Sequence, residues 1–308
     1  MANMLNGKGL GWVRDLPDFR DYTPDREKVD QRLRMRGQQH PVKTMLAKTG
    51  AETALPPSKL PPAVTNLQPY FSPIEDQGPL GSCTANAAVG LVEYFERRAF
   101  GRHIDASRLF LYKATRNLLH LTGDTGAYLR TSMQALVLFG VPPEEYCRYD
   151  TANFDAEPSA FCYAFAQNFQ TISYYRYDPP GTPLATVLNR IKTNIAAGLP
   201  SMFGFTVYSS IDQAAGNGGA IPFPTDGEQV EGGHAIVAMG YDDSKEITNA
   251  SPGGPTKTGA LRIRNSWGTG WGDAGYGWLP YEYVLKGVAV DWWSVLKNEW
   301  VDTGNFSV

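Results

Sequence analysis

The chain predicts an α+β protein whose helices and strands occupy separate halves. Three observations carry this. Helical periodicity recurs between residues 85 and 197, short β-type runs succeed it from Met202 onward, and many of the 32 glycines fall in the last hundred residues. A cleft between two such halves is the natural place for a functional site.

Residues 1–48 differ from the rest of the chain. Arg14 to Arg36 is dense in mixed charge, and the segment carries Trp12, Phe19 and Tyr22 as large aromatics. It reads either as a solvated tail or as an arm that docks on the body. Large aromatics in an otherwise polar stretch favour the arm. Residues 49–62 contain Pro56-Pro57 and Pro61-Pro62 and are expected to form a stiff, extended linker. The body is expected to span residues 63–308.

Its first clear helix is Ala85–Phe100, with Ala88, Leu91, Val92, Phe95 and Ala99 on one face and Gly101 suited to its end. Further helices are expected at Ser107–Leu119, at Leu129–Phe139 (closed by Gly140 and a proline pair) and at Thr186–Ala197 (ended by Gly198). Strands are expected at Met202–Tyr208, Ala235–Tyr241, Ala260–Arg264, Tyr276–Leu279 and Val288–Leu296, separated by Gly, Pro, Asn and Asp.

Composition narrows the function. Of 308 residues, 42% are hydrophobic and 19% charged, with a net charge of -3, so neither a nucleic acid nor an acidic membrane surface is an expected partner. Three cysteines cannot build a disulfide framework, and Cys147 and Cys162 are expected to be unpaired structural thiols. The start lacks an apolar run of signal-peptide length, and no stretch approaches the ~20 apolar residues of a membrane span. A soluble monomer is expected, cytoplasmic or exported by a non-Sec route. Four scattered histidines and no Cys-x-x-Cys pair give no metal-ligand spacing, and no phosphate loop is present, so neither metal nor cofactor is expected.

Cys83 sits where a glycine-broken loop, Ile74 to Ser82, meets the start of the Ala85–Phe100 helix. The helix dipole there favours thiolate, and free backbone N–H groups converge, which suits a nucleophile. A free cysteine is equally often a small buried residue. Among the histidines, His234 stands apart: Gly232-Gly233 precede it and the apolar run Ala235–Tyr241 comes after it. Asn265 ends another β run, where its carbonyl could fix an imidazole and Trp267 could cover that contact. Each signal alone is modest; their order and flanking residues decide the case.

Gln77-Gly78-Pro79-Leu80-Gly81-Ser82-Cys83, Gly233-His234-Ala235, and Asn265-Ser266-Trp267-Gly268 with Trp271-Gly272 and Gly275-Tyr276-Gly277 resemble the papain family of cysteine peptidases over roughly residues 64–308. The short N-terminal extension and the Cys83-Thr84 pair are similar to its bacterial members. The resemblance implies a papain-like two-lobed α+β fold, with a helical N-terminal lobe, an antiparallel β-barrel-like C-terminal lobe and the active site between them. It implies Cys83 as nucleophile, His234 as general base and then acid, Asn265 as orienter of the imidazole and Trp267 as its shield. Gln77 is implied as an oxyanion donor beside the Cys83 N–H. Gly126, Ala127, Tyr128 and Gly233 are implied along the substrate path.

There are departures. The family signature has a cysteine three residues before the nucleophile and an aromatic after it, where this chain has Leu80 and Thr84. The long Cys83–His234 interval is expected to reflect surface-loop insertions near Ala214–Val230 and Ser244–Lys257. Family pro-regions are longer and carry a helical motif that is not found here. Residues around Trp12, Phe19 and Tyr22 are expected instead to lie across the cleft near Cys83 and block substrate.

The leading expectation is a cysteine endopeptidase acting on peptides or proteins. A catalytically silent papain-fold binding protein is the alternative, against which the full set of four site residues argues. An acyltransferase or amidase is weakened by the Asn265-Ser266-Trp267 context.

Overall fold

The computed structural model describes residues 3–51, 55–170 and 173–306. The chain opens with a hairpin, β1 (Asn3–Leu5) and β2 (Lys8–Leu10), and continues into a short strand, β3 (Trp12–Val13). The hairpin turns on Asn6 and Gly7, with φ of 50° and 75°, the Asn-Gly pairing whose positive φ matches the twist of the flanking strands. Two helices come next, α1 (Gln31–Met35) and α2 (Val42–Thr49).

Helix α2 places Val42, Met45 and Leu46, all fully buried, in the main core, and Ala51 joins them. Residues 42–51, read from the sequence as arm and linker, are therefore packed as part of the body. Truncation at Leu46→Ala is expected to destabilise the protein by about 2–5 kcal/mol, read by denaturant unfolding.

The body continues with β4 (Ala63–Val64) and a helical lobe of α3 (Cys83–Phe100), α4 (Arg108–Leu118), β5 (Ala127–Tyr128), α5 (Leu129–Leu138) and α6 (Ala160–Ala166). The second lobe comprises β6 (Ser173–Arg176), α7 (Leu184–Ala196), β7 (Ser201–Tyr208), β8 (Val230–Thr248), β9 (Thr256–Arg264), β10 (Tyr276–Pro280) and β11 (Ala289–Leu296). Its antiparallel sheet runs β10-β9-β8-β7-β11-β6, with β4 also on β8. The α+β, two-lobed expectation holds, and each predicted helix is found with its ends moved by two residues at most.

Helix α3 is buried on almost every side, as befits a helix wedged between lobes rather than lying on one. Gly101 ends it at φ 73°. Ser107 caps α4, its side chain accepting the Phe110 N–H at 3.1 Å.

The expected surface loop at Ser244–Lys257 is corrected. Glu246, Ile247 and Thr248 pair with Thr258, Lys257 and Thr256, so half of this stretch extends the β8–β9 ladder and only its middle forms the connecting loop. Ile247, buried with Ala220, Ala260 and the flanking Trp278 in a small satellite core, supplies the reason. Ala220 also shows that Ala214–Val230 is anchored inward, not purely a surface loop. The chain's local polarity hid both features.

Candidate active site

Cys83 is the first residue of α3, two residues earlier than the predicted helix start. Its thiol is completely buried, and the backbone N–H groups of Ala235, Gly11 and Thr84 are turned to it and favour its ionised form. Ala235 is the residue after His234 on β8, so the sheet lobe brings the imidazole's own strand to the start of α3.

The ring of His234 is held on one side only. Its Nε2 lies 2.8 Å from Asn265 Oδ1, which makes Nε2 the protonated nitrogen of the neutral ring. The other nitrogen, Nδ1, is buried without a hydrogen-bond partner. Trp267 stacks on the imidazole with ring centroids 4.6 Å apart, and Trp271 meets Trp267 edge-on at 5.7 Å. The two indoles shut water away from the His–Asn contact.

Gln77 is also fully buried, with its Nε2 donating to the carbonyls of Gly9 and Leu80, each at 2.8 Å. The Ser266 hydroxyl donates to Gln77 Oε1 at 2.6 Å and fixes which face of the amide carries the N–H groups. Asn265, Ser266 and Trp267 are thus three consecutive residues aimed at His234, Gln77 and His234 again.

Two braces escaped the sequence reading. The Tyr149 hydroxyl donates to the Gln77 carbonyl at 2.9 Å and lies 2.6 Å from Ser82 Oγ. Asp124 accepts the Gly81 N–H at 3.0 Å and the Tyr112 hydroxyl at 2.5 Å, while that same hydroxyl accepts the Gly126 N–H at 3.1 Å. The loop before Cys83 is tied in this way to the segment at Gly126, and nothing local in the sequence signals it.

The N-terminal arm fills the cleft. Gly11 O accepts the Ala127 N–H at 2.8 Å, and β3 pairs parallel with β5, Trp12 opposite Ala127 and Val13 opposite Tyr128. Close approach is possible only because the arm carries glycine here: a Cβ on Gly9 would stand 2.2 Å from the Leu80 carbonyl, and one on Gly11 1.8 Å from that of Gly81. Gly126, Ala127, Tyr128 and Gly233 therefore all face the arm. A cavity of about 600 Å³ remains between the hairpin, at Leu5 and Lys8, and the wall formed by Trp267 and Trp271.

Of the three arm aromatics, only Trp12 lies in the cleft. Phe19 is 96% exposed, which corrects the expectation that it docks. Tyr22 docks against β6 instead, its carbonyl accepting the Arg176 N–H at 2.7 Å and its ring 6.3 Å from that of Tyr174. Charge does the anchoring there. Arg130 binds Asp15 at 3.2 Å and Asp21 at 2.7 Å, while Arg176 binds Asp291 at 2.7 Å and Asp178 at 2.9 Å. Asp291 also accepts the Asp15 N–H at 2.7 Å. Phe19 is left outside because its neighbours Asp18 and Arg20 pair with each other on the surface.

Four carboxylates around two guanidinium groups leave an excess of negative charge in a largely buried cluster. Burial pushes Asp15 up to about 6 and Asp291 up to about 7, each from an ordinary value of 3.8. Raised values mean that the docked arm binds these protons more tightly than a released one. The stabilisation is complete below about pH 4 and is lost as pH rises through 6 to 7. Arm docking is thus expected to weaken from mild acid to neutral pH. Asp15→Asn should flatten that dependence, read by the pH profile of limited proteolysis within residues 14–25.

Burial also dominates at the centre. It raises the Cys83 thiol to about 11, only partly offset by the backbone hydrogen bonds, and lowers His234 to about 4 against the opposing pull of Asn265. The helix start favours the thiolate, as the sequence suggests, but in this covered state burial outweighs it. The arm excludes water, and a neutral thiol beside a neutral imidazole costs less there than an ion pair.

Among the described residues, no helix is long and apolar enough to cross a membrane. The papain family cysteine protease profile matches residues 62–288. A peptidase C1-like protein of Acanthamoeba polyphaga mimivirus is 32% identical over 225 residues, 71% of this chain and 68% of its own length. Chicken cathepsin K is 26% identical over 71% of this chain and 58% of its own. Among solved structures, xylellain, a cysteine protease from Xylella fastidiosa, superposes with a TM-score of 0.70 at 30% identity, covering 96% of this chain and 98% of that one. Procathepsin L 3 of Tenebrio molitor larval midgut shares the fold with a TM-score of 0.59 at 18% identity, over 83% of this chain and 79% of its own. With the profile spanning most of the body and a 32% identical relative alongside it, this chain belongs to the papain family of cysteine proteases and is a cysteine-type peptidase.

Proposed function

We propose that the chain is an endopeptidase held inactive by its own N-terminal arm, with Cys83 as nucleophile. The observation that carries this reading is the buried His234–Asn265 contact of 2.8 Å, on the strand whose next residue, Ala235, presents its backbone N–H to the Cys83 thiol, with His234 Nδ1 left unpartnered. In the uncovered site, His234 Nδ1 takes the thiol proton and the sulfur attacks the scissile carbonyl carbon. The carbonyl oxygen gains the charge and is held by Gln77 Nε2 and the Cys83 N–H. His234 returns the proton to the leaving amine, and a thioester remains on Cys83. Water, deprotonated by the same nitrogen, hydrolyses it to a free acid and thiol.

The arm supports this reading by occupying the same places. Gly9 lends its carbonyl to Gln77 Nε2, where the oxyanion would sit, and Gly11 meets the thiol. Peptide and protein substrates would enter along Gly126 and Gly233 once it lifts.

The alternative, a silent binding protein with this fold, has no use for an imidazole poised by Asn265. Labelling with an epoxide-type thiol inhibitor separates the two. One inhibitor per chain on Cys83, appearing only when the arm is released, is the expected result. Absence of labelling in an arm-released variant that still cooperatively unfolds would favour the binder.

A further inference from the structure

Two thiols that the peptidase chemistry does not use lie close together on the helical lobe. Cys147 and Cys162 are both free. Cys162 is in the first turn of α6, where Ser159 accepts its backbone N–H at 3.3 Å and donates its hydroxyl to the sulfur at 3.3 Å. The Cys162 thiol donates in turn to the Tyr146 carbonyl at 3.4 Å. That carbonyl belongs to the peptide bond between Tyr146 and Cys147, which is trans. In a trans peptide the oxygen and the next Cα are about 2.8 Å apart, so the Cys162 sulfur stands no more than about 6 Å from the Cys147 Cα.

The two segments are held in this arrangement from both sides. The Cys147 N–H donates to the Glu144 carbonyl at 3.1 Å, and its own carbonyl accepts the Ser107 hydroxyl at 2.5 Å. The Tyr146 ring meets Phe161 and Phe165 of α6 edge-on, with centroids 5.3 Å and 5.1 Å apart. With its backbone tied, Cys147 keeps only its side chain free to turn. Rotation about the two Cα–Cβ bonds, with a small shift of the first turn of α6, closes an S–S bond of about 2 Å. Cys162 is buried, Cys147 is half-buried, and Tyr146 and Phe161 beside them are exposed, so a small reagent reaches Cys147 first.

We propose that Cys147 and Cys162 are a dithiol pair that a small-molecule disulfide, of the class of oxidised glutathione, closes into a reversible cross-link. The proposal goes beyond the peptidase reading and does not depend on it. The Cys147 sulfur, having lost its proton, attacks one sulfur of the reagent; the reagent's S–S bond breaks and one reagent thiol leaves with a proton. The Cys162 sulfur then loses its proton and attacks the Cys147 sulfur of the mixed disulfide, and the second reagent thiol leaves. Two protein thiols are oxidised to one disulfide while one disulfide is reduced to two thiols. Burial pushes the Cys147 thiol up, so the first step quickens as pH rises above neutral. The link closes a loop of about 15 residues. That loop carries Tyr149, whose hydroxyl braces Gln77, and Asp155, which binds Arg116 at 2.7 Å. Closing it removes freedom from the unfolded chain and so stabilises the folded one.

The test uses the full-length Cys83→Ala protein, in which these two are the remaining thiols, incubated folded with oxidised glutathione at mildly alkaline pH. The expected result is loss of both titratable thiols and an intact mass lower by two hydrogens. Peptide mapping should then show residues 147 and 162 joined, and dithiothreitol should separate them. The bridged protein is expected to melt about 5 °C higher than the reduced one. In the same background, Cys162→Ser should stop with one glutathionyl group on Cys147, the first step without the second. Thiols that remain titratable, glutathionyl adducts with no bridge, or a bridge that fails to raise the melting temperature each overturn the proposal.

Discussion

A Gly11→Val exchange is expected to raise peptide hydrolysis by about a hundredfold and to move the pH at which Cys83 reacts from near 11 to below 7. A Cβ at this position would lie 1.8 Å from the Gly81 carbonyl, which belongs to the braced loop before Cys83, so the arm is the part that must give way. A tethered inhibitor acts at an effective concentration in the millimolar range, and losing it frees the cleft for peptides present at far lower concentration. The pH shift has a separate origin. In the covered form burial raises Cys83 to about 11 and lowers His234 to about 4, and both shifts favour the neutral pair. At pH 7 a thiol of that kind is ionised in about one molecule in 10⁴. Water and the exposed helix start replace the arm when it leaves, and the proton can then pass from sulfur to imidazole. Rates of iodoacetamide modification, measured against pH for both proteins, give the answer. Identical profiles would show that the arm does not govern the ionisation of the site.

In the same Gly11→Val background, Cys83→Ala and His234→Ala are each expected to reduce kcat/KM by about 10⁵-fold, and the double exchange by no more than either alone. Nucleophile and base act in one step, so removing the second has nothing left to remove. The His234 ring is a part of that unit because Asn265 and Trp267 hold it in one tautomer and one orientation, at 2.8 Å and 4.6 Å. Independent, multiplicative losses would contradict a shared step and would place His234 in a structural role. A comparable melting temperature for all variants guards against unfolding as the cause.

Much of the centre was legible in the sequence because its parts sit inside short local patterns. Gln77 and Cys83 share one glycine-broken loop and helix start, His234 follows a glycine pair and Asn265 ends a β run, and the structure brings the buried amide, thiol, imidazole and asparagine into one region. Ser266 lay within a quoted motif and still went unassigned, since its hydroxyl acts on Gln77, remote in the chain. Asp124 and Tyr149 were invisible for the same reason: a carboxylate or a phenol in a loop looks alike whether it braces a neighbour or faces water. Phe19 shows the opposite failure. An aromatic in a polar stretch suggests docking, but the contacts that this segment makes with the body include the ion pairs of Asp15 and Asp21 with Arg130 and Arg176 and none through Phe19.

By itself, then, the sequence determined the fold class and the positions of α3, α4, α5 and α7, and it singled out the candidate central residues; all of these depend on periodicity and on residues near one another in the chain. Tertiary structure alone decided how the arm lies and in what state the site rests. Whether a glycine is merely flexible or leaves space for a passing backbone, as at Gly9 and Gly11, depends on what stands opposite it. Whether a thiol at a helix start is ionised depends on how much water reaches it, and at Cys83 the covering arm outweighs the dipole.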